Sequence, residues 1–127
     1  MQVPDSAPDF ELDLLAVPKA VPELRRTLST FPYGPHPDFQ LCVSELLSNV
    51  IRHLGEGTPV TVRVTGAPGR IRVAVTDPDP RAWPLPRRAG SDDETGRGLA
   101  LLDAVSLRWG VEQGADSKTV WCELGEG

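Results

Sequence analysis

The stretch SELLSNVIRH, residues 44–53, lies within a longer run that has the periodicity of an amphipathic helix. Its apolar residues recur at the three- and four-residue intervals that bring side chains to one helix face. Glu45, Asn49 and His53 recur every four residues, so they share a second face that borders the apolar stripe. Such a row is either an accidental stripe of polar surface residues or the edge of a site. The rest of the sequence has to decide between the two.

The position of this row favours half-burial at the margin of the core, where a carboxylate and an amide need hydrogen-bond partners. The helical wheel places Arg52 and Ser48 on the far side of the helix. A purely solvated stripe would lie opposite the core and carry lysine and glutamate instead.

Length and composition indicate a single globular domain. The chain has 127 residues, 39% of them apolar and 24% charged. A chain of this length buries roughly two-thirds of its unfolded surface around one core. The net charge of −5 argues against a general nucleic-acid binder, which needs a basic face, but it allows a small anion at a local site.

No targeting or membrane segment is visible. The N-terminal residues lack the charged and apolar regions of a secretory signal, and no stretch approaches the roughly 18 apolar residues of a membrane helix. Cys42 and Cys122 lie in apolar patterns, which favours two reduced core thiols over a disulfide or a metal pair. We therefore expect a cytoplasmic protein.

The periodicities predict an α+β fold, a two-layer sandwich in which about three helices cover one face of a mixed, mainly antiparallel sheet. Residues 1–9 are expected to form a flexible leader and residues 10–127 a single domain. The predicted elements are a strand over 10–17, helices over 18–31 and 37–54, a hairpin of strands over 60–66 and 70–77, a short helix over 99–105, and a closing hairpin over 106–113 and 117–124.

Two further features follow the first hairpin. Its second strand ends in Asp77, and residues 78–98 form a long segment without periodicity, a length of loop that is usually functional. This loop ends in TGRGL, residues 95–99, where a helix begins. Free backbone N–H groups at a helix start, next to small residues, can bind phosphate. Taken singly, the aspartate and the glycine pair are more often ordinary turn residues.

In this order the segments resemble the ATP-binding domain of the GHKL family, the Bergerat fold of histidine-kinase catalytic domains, gyrase, Hsp90 and MutL. ELLSNVIRH resembles the N box of that family, Glu-x-x-x-Asn-x-x-x-His. VTDPDP occupies the position of the G1 box, ETGRGLALLDAVSLRWG resembles the G2 box with its following segment, and SKTVWCEL resembles the last strand. The closest likeness is to short, stand-alone anti-sigma-factor serine/threonine kinases of actinobacterial type.

The resemblance implies a role for each polar residue. Asn49 would offer its amide oxygen to Mg²⁺ on the nucleotide phosphates, and Glu45 would orient or deprotonate the attacking hydroxyl. His53 would either contact phosphate or serve only as a half-buried polar residue. Asp77 would accept a hydrogen bond from the exocyclic amine of adenine, and Thr119 would support that contact directly or through water.

The glycine-rich segment would hold the phosphates through the backbone N–H groups around Gly96, Arg97, Gly98 and Leu99. Residues 82–95 would form the ATP lid, with Arg87 and Arg88 close to the anion. One departure bears on nucleotide affinity: the family's G1 box is commonly Asp-x-Gly-x-Gly, and Asp79 and Arg81 replace its two glycines here.

The function implied is that of a Mg²⁺- and ATP-dependent serine/threonine protein kinase that binds a sigma factor and phosphorylates an antagonist protein. Its partners would be proteins, not nucleic acid or membrane, and a homodimer is compatible with the sequence. One alternative is a module of the same fold that regulates a partner by docking without phosphoryl transfer. A second alternative is an α+β protein whose boxes are coincidental.

Overall fold

The computed structural model describes residues 10–30, 36–67, 69–80 and 101–125. Its elements follow the predicted order. They are β1 (Phe10–Ala16), α1 (Ala20–Leu28), α2 (Pro37–Leu54), β2 (Thr58–Ala67), β3 (Arg70–Asp77), a helical segment over residues 101–105, β4 (Arg108–Gln113) and β5 (Lys118–Gly125).

The five strands form one sheet in the order β1-β2-β3-β5-β4, and every neighbouring pair is antiparallel. The register pairs Val62 with both Leu12 and Val75, and it pairs Asp77 with Lys118 across β3 and β5. With the helices on one face, this sheet confirms the predicted α+β sandwich.

The core lies between α2 and the inner face of the sheet, by which we mean the face turned toward the helices. Alternate residues of β2, β3 and β5 point inward because side chains alternate along a strand. Each fully buried aliphatic side chain contributes about 1.5–3 kcal/mol. The principal inward residues are Val60, Val62, Val64, Ile71, Val73, Val75, Val120, Cys122 and Leu124, and those of α2 are Phe39, Cys42, Val43, Leu46, Leu47 and Val50.

Helix α2 has the predicted bounds because both of its ends carry clear signals. His36 caps the start, where its Nδ1 accepts a hydrogen bond of 3.3 Å from the N–H of Asp38, and Pro37 follows the cap. Gly55 ends the helix with a φ of 100°, which glycine adopts readily. The turn over residues 55–57 leads directly into β2. The C-terminal half of α2 therefore lies at the end of the sheet where β2 begins and β3 ends.

Helix α1 is shorter than predicted. It covers Ala20–Leu28 instead of residues 18–31, because side chains at its C-terminal end bind its own carbonyls. The hydroxyl of Ser29 donates to the carbonyl of Arg26 at 2.6 Å, and that of Thr30 donates to the carbonyl of Thr27 at 2.9 Å. These local bonds compete with continuation of the helix.

Both cysteines are free and buried, which confirms the prediction of two reduced core thiols. Cys42 lies on α2 and Cys122 on β5. Within the described ranges, no helix has the length and apolar character needed to cross a membrane.

Candidate functional site

Asn49 is fully buried on α2. Its Oδ1 accepts a hydrogen bond of 2.5 Å from Nη2 of Arg52. Its Nδ2 has no hydrogen-bond partner among the residues that the structure describes. A buried amide donor without a partner is costly in a folded protein and calls for an explanation.

Arg52 lies on the same side of α2 as Glu45 and Asn49, so its predicted place on the far side is wrong. Seven residues at 100° each return to within about 20° of the starting direction. Its Nη2 lies 3.6 Å from Oε1 of Glu45, so one guanidinium contacts both predicted functional groups. The Glu45 side chain remains 21% exposed, which leaves it accessible to a substrate hydroxyl.

His53 lies one turn beyond Asn49 and is half-buried. This position is compatible with both roles considered for it, a phosphate contact or a polar residue at the core margin.

Asp77 is buried at the end of β3, on the inner face of the sheet. Its Oδ1 accepts a hydrogen bond of 2.8 Å from the N–H of Asp79, and Nζ of Lys118 lies 3.5 Å from its Oδ2. Burial raises the pKa of the Asp77 carboxyl above its ordinary value, while the Asp79 N–H and the Lys118 ammonium act in the opposite direction. The site thus contains a carboxylate in a largely water-free place.

Lys118 is the residue that the sequence reasoning missed. Its side chain is fully buried beside that of Asp77. The signal was present in SKTVWCEL, because the alternation that buries Val120 and Cys122 also points Lys118 inward. A lysine on an apolar stripe is unusual and indicates a buried partner.

Thr119 points to the opposite, open face of the sheet. Its Oγ1 lies 2.7 Å from Oγ1 of Thr76, which also accepts a longer hydrogen bond of 3.4 Å from Arg63. The residue predicted to support Asp77 is therefore not the one that the structure places beside it, because neighbouring residues of a strand face opposite sides.

A cavity of about 610 Å³ lies at this end of the sheet. It is lined by the end of β1, the start of β2, residues 76–78 and residues 116–117. Asp77 lines it, whereas Glu45, Asn49 and His53 are not among the described residues that do. The cavity thus reaches Asp77, which is predicted to bind adenine, but not Asn49, which is predicted to bind the metal.

The predicted phosphate-binding segment and the predicted lid are not among the residues that the structure describes. Gly96, Arg97, Gly98 and Leu99, together with residues 82–95 and their Arg87 and Arg88, lie outside the described residues, as does Arg81. The other replaced G1 glycine is described. Asp79 uses its backbone N–H to hold Asp77, and the next residue, Pro80, accepts a hydrogen bond of 2.7 Å from the side chain of Gln113.

The residues present fit a magnesium ion that takes few protein ligands. The described part of the chain contains no group of three or more His, Cys, Asp or Glu side chains able to hold a metal by themselves. Mg²⁺ in nucleotide sites keeps several waters and is bound by one or two side chains and by phosphate oxygens. Asn49 could supply one such ligand through its Oδ1, which in this structure accepts the hydrogen bond from Arg52, while its Nδ2, a donor with no partner among the described residues, could face a phosphate oxygen.

Comparison with known proteins identifies the family to which this chain belongs. Residues 13–123 match the model of the histidine kinase-like ATPase domain. The uncharacterized protein SCO4941 of Streptomyces coelicolor is 60% identical over 83 residues, which are 64% of this chain and 79% of that relative. The match covers most of the chain and confirms the resemblance at the level of the family. The chain belongs to the family of histidine kinase-like ATPase domains.

Proposed function

We propose that the protein binds Mg-ATP and is an anti-sigma-type serine/threonine kinase, which docks on a sigma factor and phosphorylates an antagonist protein. One observation carries the proposal. Glu45 and Asn49 stand one turn apart on the same face of α2, and the guanidinium of Arg52 contacts both. The proposed general base and the proposed metal ligand are therefore neighbours on one helix, and Asp77, the proposed acceptor for adenine, is buried at the end of β3.

Each side chain has a distinct task in this proposal. Asp77 accepts a hydrogen bond from the adenine amine, and Asn49 offers its Oδ1 to the metal. Bound Mg²⁺ neutralises charge on the phosphate oxygens. Glu45, which is partly exposed, accepts the proton of the attacking serine or threonine hydroxyl. Arg52 holds the Glu45 carboxylate toward Asn49, so the base and the metal ligand keep a fixed relation.

A second candidate is a docking module that performs no phosphoryl transfer. The partners of the site residues favour it. Arg52 already hydrogen-bonds the Asn49 oxygen, and Lys118 already faces the Asp77 carboxylate. With these contacts the Asn49 oxygen and the Asp77 carboxylate already face positive groups of the protein itself, as expected of a module that regulates a partner through its surface.

Phosphoryl transfer separates the two candidates. Purified protein is incubated with labelled ATP, Mg²⁺ and a candidate antagonist protein, and label on the antagonist is measured. We expect transfer by the wild type and a loss of at least about 100-fold in Glu45→Gln, since removal of a positioned base costs 10²–10⁴-fold. Nucleotide affinity should be unchanged in this variant.

Glu56→Gln is the matched control, because Glu56 is exposed in the turn after α2. It should transfer phosphate like the wild type. Nucleotide binding without any transfer by the wild type would favour the docking module. Equal transfer by Glu45→Gln would remove Glu45 from the mechanism.

A further inference from the structure

The side chains of Asp77 and Lys118 form a buried donor–acceptor pair at the end of the sheet. The two residues are paired across β3 and β5, and both side chains are fully buried. Nζ of Lys118 lies 3.5 Å from Oδ2 of Asp77, the oxygen that accepts no hydrogen bond within the described part of the chain. The other carboxylate oxygen is held by the N–H of Asp79.

This arrangement fixes the pair in space. Asp77 is anchored by the backbone that follows β3, and Lys118 is held by the start of β5. The Asp77 carboxylate, an acceptor, and the Lys118 ammonium, a donor, therefore lie side by side in fixed positions. An ammonium carries three donor hydrogens, so it can donate to a carboxylate and to a second acceptor at once.

The edge of adenine is complementary to such a pair. Its exocyclic amine is a donor, and the neighbouring ring nitrogen N1 is an acceptor. Guanine presents the reverse order at the same positions, with a carbonyl acceptor beside an N1–H donor. A fixed carboxylate–ammonium pair can thus distinguish the two bases at two adjacent points.

We propose that Lys118 is a specificity-determining residue for the nucleotide base, donating a hydrogen bond to N1 of adenine while Asp77 accepts one from the exocyclic amine. This inference rests on the proposed nucleotide binding and names the base that the site selects. Asp77 and Ser117, the residue before Lys118, line the cavity at this end of the sheet. In water-poor surroundings a direct donor replaces a solvent molecule at N1, and an analogue without that acceptor loses this hydrogen bond with no water to take its place.

The test compares ligands on the unaltered protein by titration calorimetry with Mg²⁺. ATP, 1-deaza-ATP, which keeps the amine but lacks the N1 acceptor, and GTP are titrated in turn. We expect 1-deaza-ATP to bind at least ten-fold more weakly than ATP, and GTP at least a hundred-fold more weakly. Equal affinity for ATP and 1-deaza-ATP, or for ATP and GTP, would overturn the proposal.

Lys118→Met then assigns the effect to the side chain, with Lys19→Met as the control, since Lys19 is exposed at the start of α1. Lys118→Met should bind ATP as weakly as the wild type binds 1-deaza-ATP, with no further loss for the analogue. A folded Lys118→Met variant that still discriminates between them would contradict the assignment. If the wild type binds none of the nucleotides, the proposed function itself fails; if it binds ATP without sensing N1, only this inference fails.

Discussion

Asn49 carries an energetic cost that its fold does not need. A buried donor without a partner costs about 1–3 kcal/mol, a large share of a total stability of about 5–15 kcal/mol. An apolar residue at this place on α2 would pack against the same core without that cost. Positions that break a local rule in this way are commonly functional. The burial of Asn49, and an Nδ2 that has no partner among the described residues, are therefore the residue-level grounds for a ligand at α2.

Asn49→Ala should separate binding from folding. We expect the variant to lose Mg-ATP affinity by at least about ten-fold, because a metal ligand is gone, while its thermal midpoint stays within a few degrees of the wild type. Within the described part of the chain, the amide makes one hydrogen bond, to Arg52, and its nitrogen has no partner. The stability lost with that bond and the stability gained by removing an unpaired donor should therefore largely offset each other. Calorimetry with Mg-ATP and thermal unfolding without nucleotide measure the two effects.

Leu46→Ala is the control for Asn49→Ala, because Leu46 is a fully buried core residue of the same helix. It should cost about 2–5 kcal/mol and lower the midpoint clearly. A comparable fall in the midpoint of Asn49→Ala would show that Asn49 serves the fold and not a ligand.

At the scale of elements, β3 and β5 are joined by the buried pair of Asp77 and Lys118. Removing one charge of a buried pair leaves the other uncompensated, which typically costs about 3–5 kcal/mol. We expect Asp77→Asn and Lys118→Met each to be destabilised on this order. The double variant should be less destabilised than the sum of the two by more than about 1 kcal/mol. Urea unfolding of all four proteins gives this coupling, and strictly additive effects would mean that the two charges do not interact.

The open face of the sheet contains a second charged group, centred on Glu123. Nε of Arg108 lies 2.7 Å from its carboxylate, and Arg70 and Arg72 lie 3.6 and 3.9 Å away. The Arg108 hydrogen bond is the main reason why the pKa of Glu123 is lowered. Arg72 also stacks on Trp121, with its guanidinium carbon 4.1 Å from the ring centroid. This cluster joins β3, β4 and β5 on the face that the helices leave uncovered.

The lowered pKa of Glu123 predicts how stability depends on pH. A depressed carboxyl pKa adds stability that is complete above the unfolded-state pKa, near 4.3 on the usual scale, and is lost as the pH falls through the folded-state value. Glu123→Gln should therefore unfold several degrees below the wild type at pH 7, and this difference should shrink steadily below about pH 4. Glu112→Gln, at an exposed partner of Arg72, should show little difference at either pH. A gap that is the same at pH 7 and pH 3 would mean that the Glu123 charge is not responsible.

At the scale of the whole molecule, the fold class and element order could be predicted because their signals are local. Alternation defined the strands, and the three- and four-residue spacing of apolar residues defined α2. Glu45 and Asn49 could be grouped for the same reason, since one helix turn separates them. The end of α1 could not be placed, because hydroxyl groups of Ser29 and Thr30 decide it through individual hydrogen bonds.

The parts of the site that the sequence did not predict depend on distant contacts or on long side chains. Lys118 meets Asp77 only because β5 lies beside β3, and that strand order places residues 41 positions apart in one pair. Arg52 is different, because the helix repeat alone returns it to the side of Glu45 and Asn49, and only its contacts with both depend on the direction of a long side chain. Element boundaries and faces are thus easier to predict than the partners of individual charges.

The two thiols provide a measure of how the whole molecule opens. A hydrogen bond with the Cys42 thiol and burial both raise the pKa of Cys122, so the reactive thiolate is scarce in the folded protein. We expect a disulfide reagent to label native protein slowly, at a rate set by unfolding, and to label both thiols at once in denaturant. A ligand that binds only the folded state at 100 times its Kd should slow the labelling by about 100-fold. Ser29→Cys, at an exposed position after α1, should label immediately and without any effect of Mg-ATP. Rapid labelling of Cys42 and Cys122 in the native protein would contradict the packing of α2 against β5, whereas slow labelling that Mg-ATP leaves unchanged would contradict nucleotide binding alone.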